Sequence, residues 1–233
     1  MSATTLVGHQ SCESSHRATG ILYYQSPINL KESDITFRVL QNIKVTGKIR
    51  KTRFDPEHKN YFVLNNVFIE VHGRTYKLIQ YHFHALELSE HAINGEKFDA
   101  EVHYVFEPEN KELKHQETKG NHPHFCSCLC DGRSHSEEED VFVIGRFITF
   151  TKKCTKLADL KKFPLRIPRD YFIYDGTLST EASSGHGSNN FPPVRWNIGG
   201  KPIKVDRDQF RAFNSKPSRK LQPIDNRLVL HTC

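Results

Sequence analysis

Four histidines crowd into one stretch of the chain: Gln80-Tyr81-His82-Phe83-His84, then Ser89-Glu90-His91, then Glu101-Val102-His103 beyond an Asn94-Gly95 pair. On a β-strand residues i and i+2 project to the same face, so Gln80, His82 and His84 point together while Tyr81 and Phe83 face a buried side. Asn-Gly is a two-residue hairpin signal, which returns the chain antiparallel through 98–106. Glu101 and His103 then share a face, and strand twist can bring His103 beside the first pair. Three neutral imidazoles from rigid strands, with a fourth position open, suit a catalytic Zn²⁺. Gln80 and Glu101 are placed to accept hydrogen bonds from the second ring nitrogens and fix each tautomer. Spacing alone leaves open the alternative that these are ordinary surface or core histidines.

The elements that must position these side chains read as mainly β. Short runs rich in Val, Ile, Phe, Tyr and Thr cover 43–54, 61–71, 75–84, 98–106, 141–150 and 228–231. His72-Gly73, Asn94-Gly95 and Gly199-Gly200 read as the turns between them. Helical patterning is confined to two turns over 206–213 and one over 157–162. Two polar stretches read as surface excursions: 107–140, with Cys126, Cys128, Cys130 and four histidines, and 181–190. There is no internal repeat and no clean linker, so the chain reads as one domain over 1–233, with an N-terminal extension over about 1–20.

The 233 residues, 36% hydrophobic and 26% charged, exclude a disulfide knot, a disordered tail and a coiled coil. A net charge of +6 is too small to point to nucleic acid. No apolar run approaches the ~18 residues that cross a bilayer, and the first residues carry no signal-peptide pattern, so the expectation is a soluble intracellular protein. The six cysteines, three of them within five residues, are expected to be reduced thiols.

The stretch QYHFHALELSEHAINGEKFDAEVH resembles the α-class carbonic anhydrases, in particular the bacterial and plant pattern, with two extra residues between the second histidine and Ser-Glu-His. Gln25-Ser-Pro27-Ile-Asn29, Val141–Gly145, Tyr174–Thr180, Pro193–Trp196, Pro202-Ile203 with Gln209 and Phe213, and Gln222-Pro223 through Arg227 resemble further landmarks of that family in the right order. The resemblance implies a domain built on a large twisted, mostly antiparallel sheet with a few short helices. It also implies reversible hydration of CO₂ to bicarbonate and a proton by zinc-bound hydroxide.

Carried over residue by residue, His82, His84 and His103 are the implied Zn²⁺ ligands, with Gln80, Glu101 and His91 around them. Ser179 takes the place of a threonine that relays a hydrogen bond to Glu90, and Thr180 follows it in the catalytic motif. Val105, Val143, Leu178, Val194 and Trp196 match the apolar wall for carbon dioxide.

Three departures stand out. Lys48 occupies the position of the family's proton-shuttle histidine, which implies impaired proton transfer unless His72 or His58 reaches the cleft. Ser179-Thr180-Glu181-Ala182 replaces a proline-bearing rim and places His186 in a longer loop. The Cys126–Cys130 insertion has no family counterpart; it reads as a loop with exposed thiols, with a second zinc site as the alternative. The alternative function is a carbonic-anhydrase-like surface protein binding polyanionic glycans through basic stretches at 48–53 and 152–166.

Overall fold

In a computed structural model, residues 25–85, 87–109, 141–152, 160–179, 194–209 and 215–232 are described. Thirteen strands account for most of them: β1 (Asn29–Leu30), β2 (Ile35–Val39), β3 (Ile43–Thr46), β4 (Thr52–Asp55), β5 (Asn60–Val63), β6 (Phe68–Val71), β7 (Arg74–His84), β8 (Ala92–Ile93), β9 (Ala100–Pro108), β10 (Val141–Thr151), β11 (Tyr171–Gly176), β12 (Val194–Asp206) and β13 (Val229–Thr232). Eleven form one sheet, in the order β2-β13-β11-β12-β10-β9-β7-β5-β4, with β6 joined to β7 and β3 to β6. Most pairings are antiparallel; β10 with β12 and β13 with β2 are parallel. The mainly β, mostly antiparallel architecture is the one expected from the sequence.

Both faces of the central strands are buried. Tyr81, Phe83, Val102, Tyr104, Phe106, Phe142 and Ile144 pack on one face. Val105, Val143, Phe147, Tyr174, Trp196 and Ile198 pack on the other. That is why β10 reads as a nearly continuous apolar run rather than an alternating one. The His-bearing face belongs to the second layer.

Several expected boundaries shift. The run 43–54 is two strands, broken at Gly47, where φ is +88° and an added Cβ would meet Asn66 O at 2.5 Å. The run 61–71 likewise divides at Asn65, whose Oδ1 accepts the backbone N–H groups of Arg50 and Lys51 while its Nδ2 donates to Lys48 O. One amide side chain thus replaces a stretch of strand ladder. Gly199-Gly200 is not a turn. It lies inside β12 beside a register irregularity against β10, and an added Cβ at Gly199 would sit 2.9 Å from both Arg146 Nε and Pro168 Cβ.

Asn94 and Gly95 do form a left-handed turn, φ +50° and +84°. That turn closes only a bridge between Ile93 and Glu96, while β8 pairs with β1. The antiparallel return from β7 to β9 runs through the whole of 85–99. The helical expectations reduce to single 3₁₀ turns, Leu160–Lys162 and Arg207–Gln209. β9 extends to Pro108, so 107–108 belong to the sheet rather than to the excursion. No helix among the described residues is long and apolar enough to cross a membrane.

Candidate metal centre

The decisive local feature is an irregularity in β7. Leu78 pairs with Phe106, but Gln80 pairs with Val105, so Ile79 is an extra residue on its strand. Up to Leu78 the even-numbered residues pack in the first layer; after the bulge the odd-numbered Tyr81 and Phe83 do. Without it His82 would oppose Val102. With it His82 sits directly opposite His103, and His84 opposite Glu101. All three imidazoles thereby reach one face.

The rings of His82, His84 and His103 lie with centroids 5.2, 5.2 and 4.8 Å apart. One ring nitrogen from each falls within 4.8 Å of the others. On each ring the second nitrogen is engaged. His82 Nδ1 donates to Gln80 Oε1 at 3.0 Å, His84 Nδ1 to Pro217 O at 3.0 Å, and His103 Nε2 to Glu101 Oε1 at 2.9 Å. These acceptors fix the tautomers and leave His82 Nε2, His84 Nε2 and His103 Nδ1 facing inward with lone pairs. His84 Nε2 and His103 Nδ1 are buried and have no hydrogen-bond partner. Buried polar atoms left unpaired are rare, and two on converging rings are suited to hold a cation. Burial holds the imidazoles of His82 and His84 well below the ordinary histidine range, keeping them neutral as ligands must be.

Glu101 organises this set from beneath. Its Oε2 accepts the backbone N–H groups of Glu90 and His91, at 3.0 and 2.8 Å. Its Oε1 accepts His91 Nδ1–H and His103 Nε2–H, both at 2.9 Å. Burial opposes its ionisation, but His91 and His103 outweigh it and hold the carboxyl well below the usual range. His91, Glu101 and His103 also cluster tightly enough to suggest a cation. Glu101 already has four donors, so that grouping is structural. His91 Nε2 meets Tyr174 Oη at 2.6 Å, and Tyr174 Oη bonds Ser26 Oγ at 3.1 Å.

Glu90 is buried beside the triad. Its Oε1 lies 3.7 Å from His84 Nδ1 and its Oε2 3.9 Å from His103 Nδ1. Ser179 donates a side-chain hydrogen bond to Glu90, and Arg219 N–H reaches its Oε1 at 3.3 Å. Burial pushes the Glu90 carboxyl up to about 7, against the pull of His103 and Ser179. A cation on the triad would oppose that rise.

A cleft of about 400 Å³ opens over the triad, lined by Val105, Val143, Leu178 and Trp196 on an apolar side. Its polar side includes His58, Asn60, Gln80 and Lys216. Val194, expected on the apolar wall, is instead buried in the second layer behind it, and Val141 lines the cleft. Lys48 is not among the lining residues: it is an exposed residue at the Gly47 turn, whose carbonyl is tied to Asn65. His72 sits exposed in the turn before β7. His58, the other candidate histidine, does line the cleft, from the turn between β4 and β5, with Nδ1 2.8 Å from Asp55 Oδ2.

Pro217 O carried no signal in the sequence, since a carbonyl has no residue type; Ser26 and Tyr174 stood only within the landmark stretches 25–29 and 174–180, and Arg219 in none. Thr180, His186, Cys12 and Cys126–Cys130 lie outside the described residues.

A sheet of this topology with imidazoles converging on one face defines a family, and comparison with known proteins agrees. Residues 10–232 match the family model of the eukaryotic-type carbonic anhydrases, and the chain belongs to that family. A carbonic anhydrase of Neisseria gonorrhoeae is 27% identical over 221 residues, covering 88% of this chain and 76% of the relative. The α-carbonic anhydrase of Thermovibrio ammonificans, solved with the inhibitor sulfanilamide, superposes with a TM-score of 0.62 at 23% identity, covering 89% of this chain and 86% of that one. A hyperthermostable carbonic anhydrase from a hydrothermal vent chimney gives 0.64 at 20% identity, covering 92% and 90%.

Proposed function

We propose that this protein hydrates carbon dioxide reversibly to bicarbonate and a proton, with Zn²⁺ held by His82 Nε2, His84 Nε2 and His103 Nδ1. The observation that carries this reading is the set of three buried rings whose tautomers are fixed and whose inward nitrogens converge. Three nitrogen donors with a fourth position facing a cleft match a catalytic rather than a structural zinc site. Bound there, the metal supplies a hydroxide nucleophile near neutral pH, since coordination lowers the pKa of water from ~15.7 to about 7.

The chain's own residues do the rest. Val105, Val143, Leu178 and Trp196 offer a dry wall to a small apolar molecule. Ser179 commits its proton to Glu90. Its oxygen is then free only to accept, which selects an attacking group that carries a proton and orients its lone pair toward the apolar wall. His58, on the polar side and steadied by Asp55, is the group suited to pass the released proton to solvent. On this reading His58 serves where Lys48 would not.

Native mass spectrometry combined with a CO₂-hydration assay tests the proposal. We expect one zinc bound at this centre, loss of hydration on chelation and recovery on adding zinc. Hydration that persists without metal, or none with the centre filled, refutes it.

A second reading, polyanion binding, has one observation in its favour. Thr52 Oγ1 donates to Lys161 O at 2.6 Å, so the first basic stretch touches the described end of the second at Lys161. Salt-sensitive retention on a sulfated glycan column, abolished by K51E with K161E, would support it; indifference to those changes would dismiss it.

A further inference from the structure

One imidazole of the triad is held differently from the other two. His82 and His103 each donate to a side chain two residues away on the same strand, Gln80 and Glu101. His84 donates instead to Pro217 O, a backbone atom 133 positions distant. Its orientation therefore depends on how the irregular segment 215–217 is registered against β7.

That segment lands where the flank of β7 has lost its neighbour, because β5 pairs with β7 at Gln80 and Tyr81 and no further. Lys59 Nζ donates to Ser215 O at 3.2 Å and anchors the start of the segment. Phe83 O then accepts Lys216 N–H at 3.0 Å, and Ala85 N–H donates to Ser215 Oγ at 2.6 Å. Ser215 Oγ in turn donates to Lys216 O at 2.9 Å. A regular parallel rung at the bridge between His84 and Lys216 would join that N–H and that carbonyl directly. The buried hydroxyl stands between them as a spacer. Pro217 has no N–H with which to make a rung of its own, so its place is set by the residues before it.

We infer that Ser215 is a positioning residue for the metal centre: its hydroxyl spaces the segment from β7 so that Pro217 O meets His84 Nδ1 and His84 Nε2 faces inward. That Nε2 then serves zinc rests on the proposed function; the spacing itself does not. Removing the hydroxyl leaves Ala85 N–H to take Lys216 O directly. Closing that gap draws 216–217 toward β7 and carries Pro217 O off the ring. His84 loses the acceptor that keeps its proton on Nδ1, whereas His82, tied to Gln80 on its own strand, keeps its acceptor.

The test compares wild type, S215A and S215T. Histidine ring ¹⁵N shifts are read on the chelated, metal-free proteins, with circular dichroism confirming that each is folded, and zinc affinity is measured against a competing chelator. We expect the Nδ1–H to Nε2–H ratio of His84 to fall about fivefold or more in S215A, as for one lost hydrogen bond, and to recover in S215T. The His82 ring should not change in either variant, which separates positioning from general loosening. Zinc affinity should fall roughly tenfold in S215A, the lower end for partners that orient metal ligands.

An unchanged His84 tautomer in S215A, equal shifts of His82 and His84, no recovery in folded S215T, or equally tight zinc binding by S215A and wild type overturns the inference. Wild type that binds no zinc refutes the proposed function instead, and the tautomers of the metal-free proteins still decide the role of Ser215.

Discussion

Replacing Glu101 by glutamine changes one atom and tests the logic of the centre. The carboxylate accepts four N–H donors, two from fixed backbone and two from rings. An amide has one acceptor oxygen. Turned so that its NH₂ meets the backbone N–H groups of Glu90 and His91, it opposes donors that cannot move. Turned the other way, its NH₂ meets His91 Nδ1 and His103 Nε2, whose protons can shift to the other ring nitrogen.

The second orientation costs less, but it moves the His103 proton onto Nδ1, the atom that faces the triad. Losing two charge-assisted bonds at ~1.5–3 kcal/mol each predicts a destabilisation of about 3–6 kcal/mol. That is a large share of a typical stability of ~5–15 kcal/mol. Zinc affinity should fall roughly 10–100-fold, as for other partners that orient metal ligands. Urea unfolding followed by the fluorescence of the single tryptophan, Trp196, measures the first effect. A competing chelator measures the second, and ¹⁵N shifts of the His103 ring report the tautomer. A stability change under ~1 kcal/mol, or a His103 tautomer unchanged, would refute the reasoning.

Other outcomes follow from the same geometry. S179A removes the hydroxyl that donates to Glu90 and should lower the hydration rate on the order of a hundredfold, with zinc content unchanged; S179T should retain activity. H58A should slow turnover on the order of tenfold in weak buffer and recover as imidazole is added; a rate indifferent to both would remove His58 from the proton path. Burial raises the phenols of Tyr104 and Tyr174 well above the ordinary range and that of Tyr171 to about 12. The fold favours their neutral forms, so this stability is present below the unfolded tyrosine pKa of ~10 and is lost as pH rises above it. Phenolate absorbance of these three should therefore appear together with the loss of circular dichroism, not before it.

The chemistry of the site was legible because it depends on residue type and on the two-residue period of a strand. His82, His84 and Gln80 share a face by that period alone, as do Glu101 and His103. The alternation of Tyr81 and Phe83 against them marked the buried side. Mainly β architecture followed from short runs rich in Val, Ile, Phe and Tyr such as 141–150 and 98–106. Glu90, Ser179 and the apolar wall came through resemblance rather than through spacing.

What tertiary structure decided was register and approach. Local sequence cannot tell that Ile79 is bulged, because the bulge is a relation between β7 and β9; yet it decides whether His103 faces the triad or the opposite core. Nor could composition choose Pro217 O as the acceptor for His84, since every residue carries a backbone carbonyl and 133 positions separate the two. His58 lines the cleft from the β4–β5 turn and Lys48 does not, because Gly47 breaks the run 43–54 and Asn65 ties the Lys48 carbonyl at the exposed turn. The sequence determined which groups were available and which way each strand would turn them. Only long-range pairing, which depends on contacts between distant segments, determined which of them would meet.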